Sequence, residues 1–201
     1  MDYIVRLNNY DGDQLAQMAL DDKHQLYEEA LCIYKKCNQP VDAIKVILYK
    51  LNNIRSATEF AEKTNKPETW SELGKAQLGQ KSLTAAIDAF IKADDASEFE
   101  NVIELSKESY EPEELIKYLL MARSHLKNQF VDNELIFAYA KGGERWLSDL
   151  ESFVGEPNQA NSEHCGDRCF DDKLYLAAEI LYKRVANNQK LAQVYVQLKK
   201  Y

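Results

Sequence analysis

The chain has 201 residues, of which 45% are hydrophobic and 29% are charged, and its formal net charge is −8. This composition is typical of a folded globular protein and excludes an intrinsically disordered one, while the negative charge argues against a nucleic-acid-binding surface, which needs clustered lysine and arginine. The sequence also lacks a signal-peptide pattern and any apolar run of the roughly 18 residues that cross a membrane.

Apolar residues recur at helical spacing along almost the whole sequence, without sustained strand alternation. In chain order this pattern predicts about 13 helices joined by short polar turns. Their starts are expected near residues 13, 23, 40, 53, 67, 82, 96, 111, 130, 143, 158, 173 and 189. Each of the four prolines predicts a helix start, because the first helical turn needs no amide donor: Pro40, Pro67, Pro112 and Pro157.

Pairs of an alanine and an aromatic residue four positions later recur along the chain. The pairs are Ala30–Tyr34, Ala86–Phe90 and Ala178–Tyr182, with separations of 56 and 92 residues. These separations correspond to two and three units of about 28–31 residues, each holding two helices. Such a repeat is typical of an α-solenoid, in which each helical hairpin buries its apolar face on the next. The sequence therefore predicts an all-α solenoid, with an irregular helical bundle as the alternative.

No linker composition interrupts the pattern, so we expect one continuous array over residues 1–201 without a domain boundary. Solenoids need terminal units with a polar outer face. Here apolar residues stand near the start, as in Ile4 and Leu7, and an amphipathic helix precedes Tyr201. We therefore expect the chain to be a piece of a longer array.

Two motifs between residues 69 and 93 resemble functional signatures. A tetratricopeptide pattern matches at six positions, but a shift of 34 residues finds no second copy, so a peptide-binding adaptor is only an alternative. The matching residues are Trp70, Leu73, Gly74, Ala86, Phe90 and Ala93. The run Gly74-x4-Gly79-Gln80-Lys81-Ser82 is close to a phosphate-binding loop, but its lysine comes one residue late and a helix precedes it. We predict a helix–turn–helix connection instead.

The stretch SEHCGDRCF, residues 162–170, is the strongest candidate for a metal or redox site. Zinc needs four ligands, and the only other cysteines, Cys32 and Cys37, lie several predicted hairpins away. On a helix Cys165 and Cys169 share one face, and a buried cysteine behaves as a small apolar residue. We predict that both thiols are core residues beside an unrelated His164.

Signs of catalysis are few. Only three histidines occur, without a metal-binding histidine pair or a Gly-x-Ser-x-Gly motif. We therefore expect no catalytic residues, no metal and no cofactor, and the sequence assigns no partner-binding residues. The four cysteines are too few for a secreted disulfide scaffold, which favours a reducing, cytoplasmic setting.

Several stretches, taken in order, resemble the clathrin heavy-chain repeat family. They include ATEFAEKTNKPETWSELGKAQL, AAIDAFIKADD, ELIKYLLMAR, NELIFAYAK and GDRCFDDKLYLAAEILY. The resemblance covers almost the whole chain, and Ile91–Asp95 and Gly166–Cys169 are its most specific parts. It implies a right-handed α-solenoid of stacked helical hairpins, from the proximal leg just beyond the knee. The family tends to carry a cysteine at Cys169 but valine at Cys165 and no histidine at His164.

The resemblance also implies a function. It indicates a cytoplasmic structural component of the coat on clathrin-coated pits and vesicles, acting in vesicle-mediated transport and endocytosis. The implied partners are other heavy-chain legs and the clathrin light chain, whose interface lies mostly beyond this piece. The piece alone is expected to be monomeric and the full chain trimeric, without nucleic-acid binding or direct membrane insertion. A vacuolar tethering subunit is the alternative scaffold.

Three places depart from the family pattern. Pro112 stands where the family tends to have tryptophan. Gly142-Gly143 and Trp146 alter a loop, and Gly155–Asn158 is one residue longer than usual.

Overall fold

The computed structural model describes residues 11–21, 23–108 and 111–199. Within these ranges the chain forms 13 α-helices and no strand, which confirms the all-α prediction. None of these helices is long and apolar enough to span a membrane. The helices are α1 (Gly12–Leu20), α2 (Tyr27–Lys36), α3 (Pro40–Lys45), α4 (Ile54–Thr64), α5 (Pro67–Gly79), α6 (Leu83–Ala93), α7 (Phe99–Ser106), α8 (Pro112–His125), α9 (Gln129–Lys141), α10 (Leu147–Gly155), α11 (Ser162–Asp171), α12 (Tyr175–Arg184) and α13 (Asn188–Leu198).

Most helices begin within two residues of the predicted starts, whereas α2, α7, α10 and α11 begin three or four residues later. Pro40, Pro67 and Pro112 are the first residues of their helices, as predicted. The prediction for Pro157 is wrong, because α11 begins only at Ser162. Between Pro157 and Ser162, the backbone amides of residues 159–161 bond to side-chain oxygens instead of to helical carbonyls, so no helix forms there.

The chain divides into two compact units, Met1–Asp95 and Ala96–Tyr201. In the first unit α1 packs on α2 and α5 packs on α6, while α3 also packs on α5. A π-helical turn, Val46–Lys50, continues α3 and buries its first three side chains. The apolar core of the first unit includes Ile44, Ile47, Leu48, Ala57, Ala61, Trp70, Leu73, Ala89 and Ala93.

In the second unit α8 packs on α9 and α11 packs on α12. Helices two positions apart also pack on each other, α9 on α11 and α10 on α12. This arrangement is that of stacked helical hairpins and agrees with the predicted solenoid. Helix α9 lies at the centre, since every residue from Val131 to Ala140 except Asn133 is buried. One continuous array over the whole chain stays a prediction.

Candidate functional site

The Gly166–Cys169 motif lies in the middle of α11, where its residues contact three other helices. Gly166 is buried against the ring of Tyr182 on α12. A Cβ atom at position 166 would lie 2.7 Å from Cε1 of that ring, closer than side chains approach each other. The glycine is therefore what allows α11 and α12 to pack around a fully inserted aromatic ring.

Asp167 joins α11 to both following helices. Its Oδ1 accepts a hydrogen bond of 2.7 Å from the Tyr182 hydroxyl, and its carboxylate accepts two from Lys190 Nζ on α13, at 2.7 and 2.9 Å. Lys190 Nζ also donates to Glu163 Oε1 at 3.1 Å. The bonds from Lys190 and then Tyr182 lower the pKa of Asp167, although partial burial opposes them. Burial and the bond to Asp167 raise the pKa of Tyr182.

Arg168 joins α11 to α9 on the other side. It forms an ion pair with Glu134, whose carboxylate is mostly buried. The guanidinium also lies 3.6 Å from the centroid of the Phe137 ring, which is a close cation–π contact. A buried carboxylate without a partner would be costly, so the Arg168 contact allows Glu134 to stay in the core of the unit.

Both thiols of the candidate site are core residues. Cys165 and Cys169 are 3% and 0% exposed, which confirms the prediction that they pack in the helical core. Burial raises the pKa of the Cys165 thiol to about 11 and that of the Cys169 thiol to about 12. Metal binding and nucleophilic attack need the thiolate, which is disfavoured at both positions near neutral pH. Cys165 Sγ donates a hydrogen bond of 3.3 Å to Asn133 Oδ1.

The other candidate ligands considered from the sequence lie in different surroundings. His164 is exposed, whereas the two thiols beside it are buried. Cys32, half-buried, and Cys37, exposed, belong to the other compact unit. Among the described residues, no three side chains of His, Cys, Asp or Glu lie close enough to hold a metal ion.

The contact between Gly166 and Tyr182 has a counterpart in the first unit. Gly74 on α5 faces Phe90 on α6, and a Cβ atom at position 74 would lie 2.8 Å from Cε1 of the ring. In both hairpins the aromatic residue follows the glycine by 16 positions. Two of the three predicted alanine–aromatic pairs therefore belong to a longer pattern that includes a glycine, whereas Met18 stands at the matching position before Tyr34. The two glycines lie 92 residues apart, the same separation as that of Ala86 and Ala178, and this match could have revealed the longer pattern.

The two motifs in residues 69–93 have structural roles. All six residues of the tetratricopeptide match are buried. The run that resembles a phosphate-binding loop spans the end of α5 and a short turn in which Lys81 has a φ of 59°. Ser82 N–H donates to the carbonyl of Gln77 at 3.0 Å and closes this turn. The predicted helix–turn–helix connection is confirmed.

In the altered loop, the glycine pair Gly142-Gly143 and Trp146 depend on each other. The indole ring of Trp146 lies directly against Gly142, so that a Cβ atom at position 142 would overlap it. The same ring lies 5.8 Å from the ring of Tyr139, between centroids. Gly143 has a φ of 83°, in the left-handed region that favours glycine. Both glycines are therefore required by the loop that carries Trp146.

Comparison with known proteins agrees with this architecture. A family model described as a region in clathrin and VPS proteins matches residues 1–84 and 90–201. Clathrin heavy chain of Drosophila melanogaster and clathrin heavy chain 1 of Arabidopsis thaliana are each 44% identical to the chain over 201 residues. Clathrin heavy chain 2 of Homo sapiens is 39% identical over the same length. These alignments cover 100% of the chain, which spans only 12% of the length of each relative.

Proposed function

The chain belongs to the family of clathrin and VPS repeat regions, and from this premise we propose that it is a leg segment of a clathrin heavy chain. It acts as a structural component of the clathrin coat and packs against other legs in the polyhedral lattice, in vesicle-mediated transport and endocytosis. The similarity to clathrin heavy chains along all 201 residues carries this proposal. It favours the coat over the vacuolar tethering and tetratricopeptide alternatives.

The packing suits a leg. In a helical array each hairpin contacts only its neighbours, which produces a long and moderately stiff rod. We propose that the two compact units continue one array over residues 1–201. Side-chain contacts of α11 with α9, α12 and α13 stiffen the second unit. Many weak contacts between such rods then add up to a stable coat, because each leg is held at several places at once.

The proposed partners are other heavy-chain legs and the clathrin light chain, at the cytoplasmic face of coated pits and vesicles. Most of the light-chain interface is expected beyond this segment, in the direction of the trimerising end. The segment itself is expected to be monomeric, without catalytic activity, a cofactor, nucleic-acid binding or insertion into a membrane.

A chimera tests the coat function directly. The matching segment of the Drosophila melanogaster clathrin heavy chain is replaced by these 201 residues, and purified trimers are assembled in vitro. Closed cages in electron micrographs are expected, because the replaced segment keeps the fold and length of the leg. A chimera with a tetratricopeptide array of equal length is the control and should form none. A folded, trimeric chimera that forms no cages would contradict the proposal.

Calorimetry tests the light-chain placement. The isolated segment should bind its light chain weakly or not at all, whereas a longer piece that reaches the trimerising end should bind it tightly. Equal affinity of the two pieces would overturn this placement.

A further inference from the structure

The connection between α10 and α11, residues 156–161, is held in place by side chains of α9. The backbone N–H of Gln159 donates to Asp132 Oδ2 at 2.7 Å, and that of Asn161 donates to Asn133 Oδ1 at 2.9 Å. Asp132 and Asn133, the anchor pair, are consecutive residues in the first turns of α9. Two adjacent side chains therefore fix a segment that is about 27 residues further along the chain.

Asp132 is only 4% exposed, so its carboxylate needs partners. Its second oxygen, Oδ1, accepts a hydrogen bond of 3.2 Å from Arg123 Nε on α8. The Arg123 guanidinium in turn lies 4.7 Å from the centroid of the Phe153 ring on α10. Asp132 thus bonds to the connection on one side and to α8 on the other, and Arg123 extends the contact to α10.

Asn133 accepts hydrogen bonds at the point where α11 begins. Its Oδ1 accepts from the N–H of Asn161 and also from Cys165 Sγ in the first turn of α11. Asn161 is the N-cap of α11, since its own Oδ1 accepts from the N–H of His164 at 3.0 Å. A shift of the α11 sequence by one residue along the helix axis, relative to its neighbours, would rotate its side chains by about 100°. Gly166 would then no longer face the Tyr182 ring.

We propose that Asp132 and Asn133 are positioning residues that set the register of α11. Through the connection they determine which face of α11 presents Gly166 to α12 and Arg168 to α9. This inference depends on the hydrogen bonds of the second unit and is independent of the proposed coat function.

Amide hydrogen exchange, resolved by residue, tests the proposal in the complete 201-residue chain. In Asn133→Ala the amide of Asn161 should exchange at least about tenfold faster, because its acceptor is lost. In the same variant the amides at the start of α11 should also exchange faster than in the wild type. Asn133→Asp should keep near-normal exchange, since its carboxylate accepts the same bonds and suits the N-terminus of a helix. Glu151→Ala, at an exposed position of α10, is the matched control and should change neither.

Three outcomes would overturn the proposal. One is unchanged exchange at Asn161 and α11 in Asn133→Ala. A second is an equal increase in α9, for example at Leu135, which would indicate a general loss of stability instead of a local one. The third is an Asn133→Asp variant that exchanges as fast as Asn133→Ala. In Asp132→Ala the amide of Gln159 should show the largest increase in exchange rate. If this variant does not fold, the two Asn133 variants still test the proposal.

Discussion

The α5–α6 and α11–α12 hairpins share a packing geometry and differ in chemistry. In each, a glycine of the first helix faces an aromatic ring of the second, Gly74 with Phe90 and Gly166 with Tyr182. The residue before the glycine is Leu73 in one hairpin and Cys165 in the other, and both are buried. The close approach of glycine and ring is therefore the common requirement, while the neighbouring core position accepts different apolar side chains.

The difference lies in the polar contacts around the ring. Tyr182 carries a hydroxyl that donates to Asp167, which also binds Lys190 of α13. Phe90 has no polar group. Its hairpin also contains a carboxylate bond, since Ser71 Oγ on α5 donates to Asp95 Oδ2 just after α6, but this bond does not involve the ring. Protonation of Asp167 should therefore weaken the contacts of the Tyr182 ring directly, whereas the Phe90 ring has no hydrogen-bonding group that a carboxylate could hold.

Loss of the inserted ring should have the largest effect. Phe90→Ala should lower the free energy of unfolding by about 3–5 kcal/mol, because the ring is fully buried and its removal leaves a cavity. Tyr182→Ala should cost at least as much, since it also removes the hydrogen bond to Asp167. Urea unfolding followed by circular dichroism measures both. A loss below about 1 kcal/mol for Phe90→Ala would place that ring at the surface.

Filling the glycine positions should have the next largest effect. Gly74→Ala and Gly166→Ala should each be destabilising, because the clash with the ring costs about 1–3 kcal/mol and the better helix propensity of alanine returns up to about 1 kcal/mol. Gly79→Ala at the end of α5 is the control, since a Cβ atom there meets no neighbour within 4 Å. It should be neutral or slightly stabilising. Equal stabilities of all three variants would show that the ring contact does not matter.

Acid should distinguish the two hairpins. The pKa of Asp167 is lowered in the folded protein, so its contribution to stability is complete above the ordinary carboxyl pKa of about 4 and is lost as the pH falls below it. Between pH 5 and pH 2 the wild-type protein should therefore lose more stability than Asp167→Asn, measured by urea unfolding. Asp88→Asn removes an exposed carboxylate of α6 and is the control. If the free energy of unfolding changed with pH in the same way in Asp167→Asn and the wild type, the Asp167 carboxylate would not contribute to stability as described.

Replacement of Cys165 should have the smallest effect. Cys165→Val exchanges one small apolar side chain for another and should cost less than about 1.5 kcal/mol. Asn133 Oδ1, which loses the thiol, keeps its bond to the Asn161 amide. Elemental analysis of the purified protein should find no stoichiometric zinc. One zinc per chain that disappears in the variant would reverse the interpretation of both thiols as core residues.

Patterns within single helices predicted most of the fold, and contacts between distant segments were missed. Periodicity and proline positions located the helices, and the shared face of Cys165 and Cys169 predicted their burial. The role of Gly166 could not be read from α11 alone, because it depends on a ring from α12. Likewise the late start of α11 depends on Asp132 and Asn133, which belong to α9 and replace the helical acceptors after Pro157.

Small-angle X-ray scattering of the 201-residue chain tests most directly whether its hairpins form one continuous rod. Two layers made from 13 helices, with axes about 8–10 Å apart, should give an elongated particle about 60–70 Å long. Its radius of gyration should clearly exceed the value of about 17 Å expected for a compact domain of this length. A radius near that lower value, with a symmetric distance distribution, would contradict the leg-segment account.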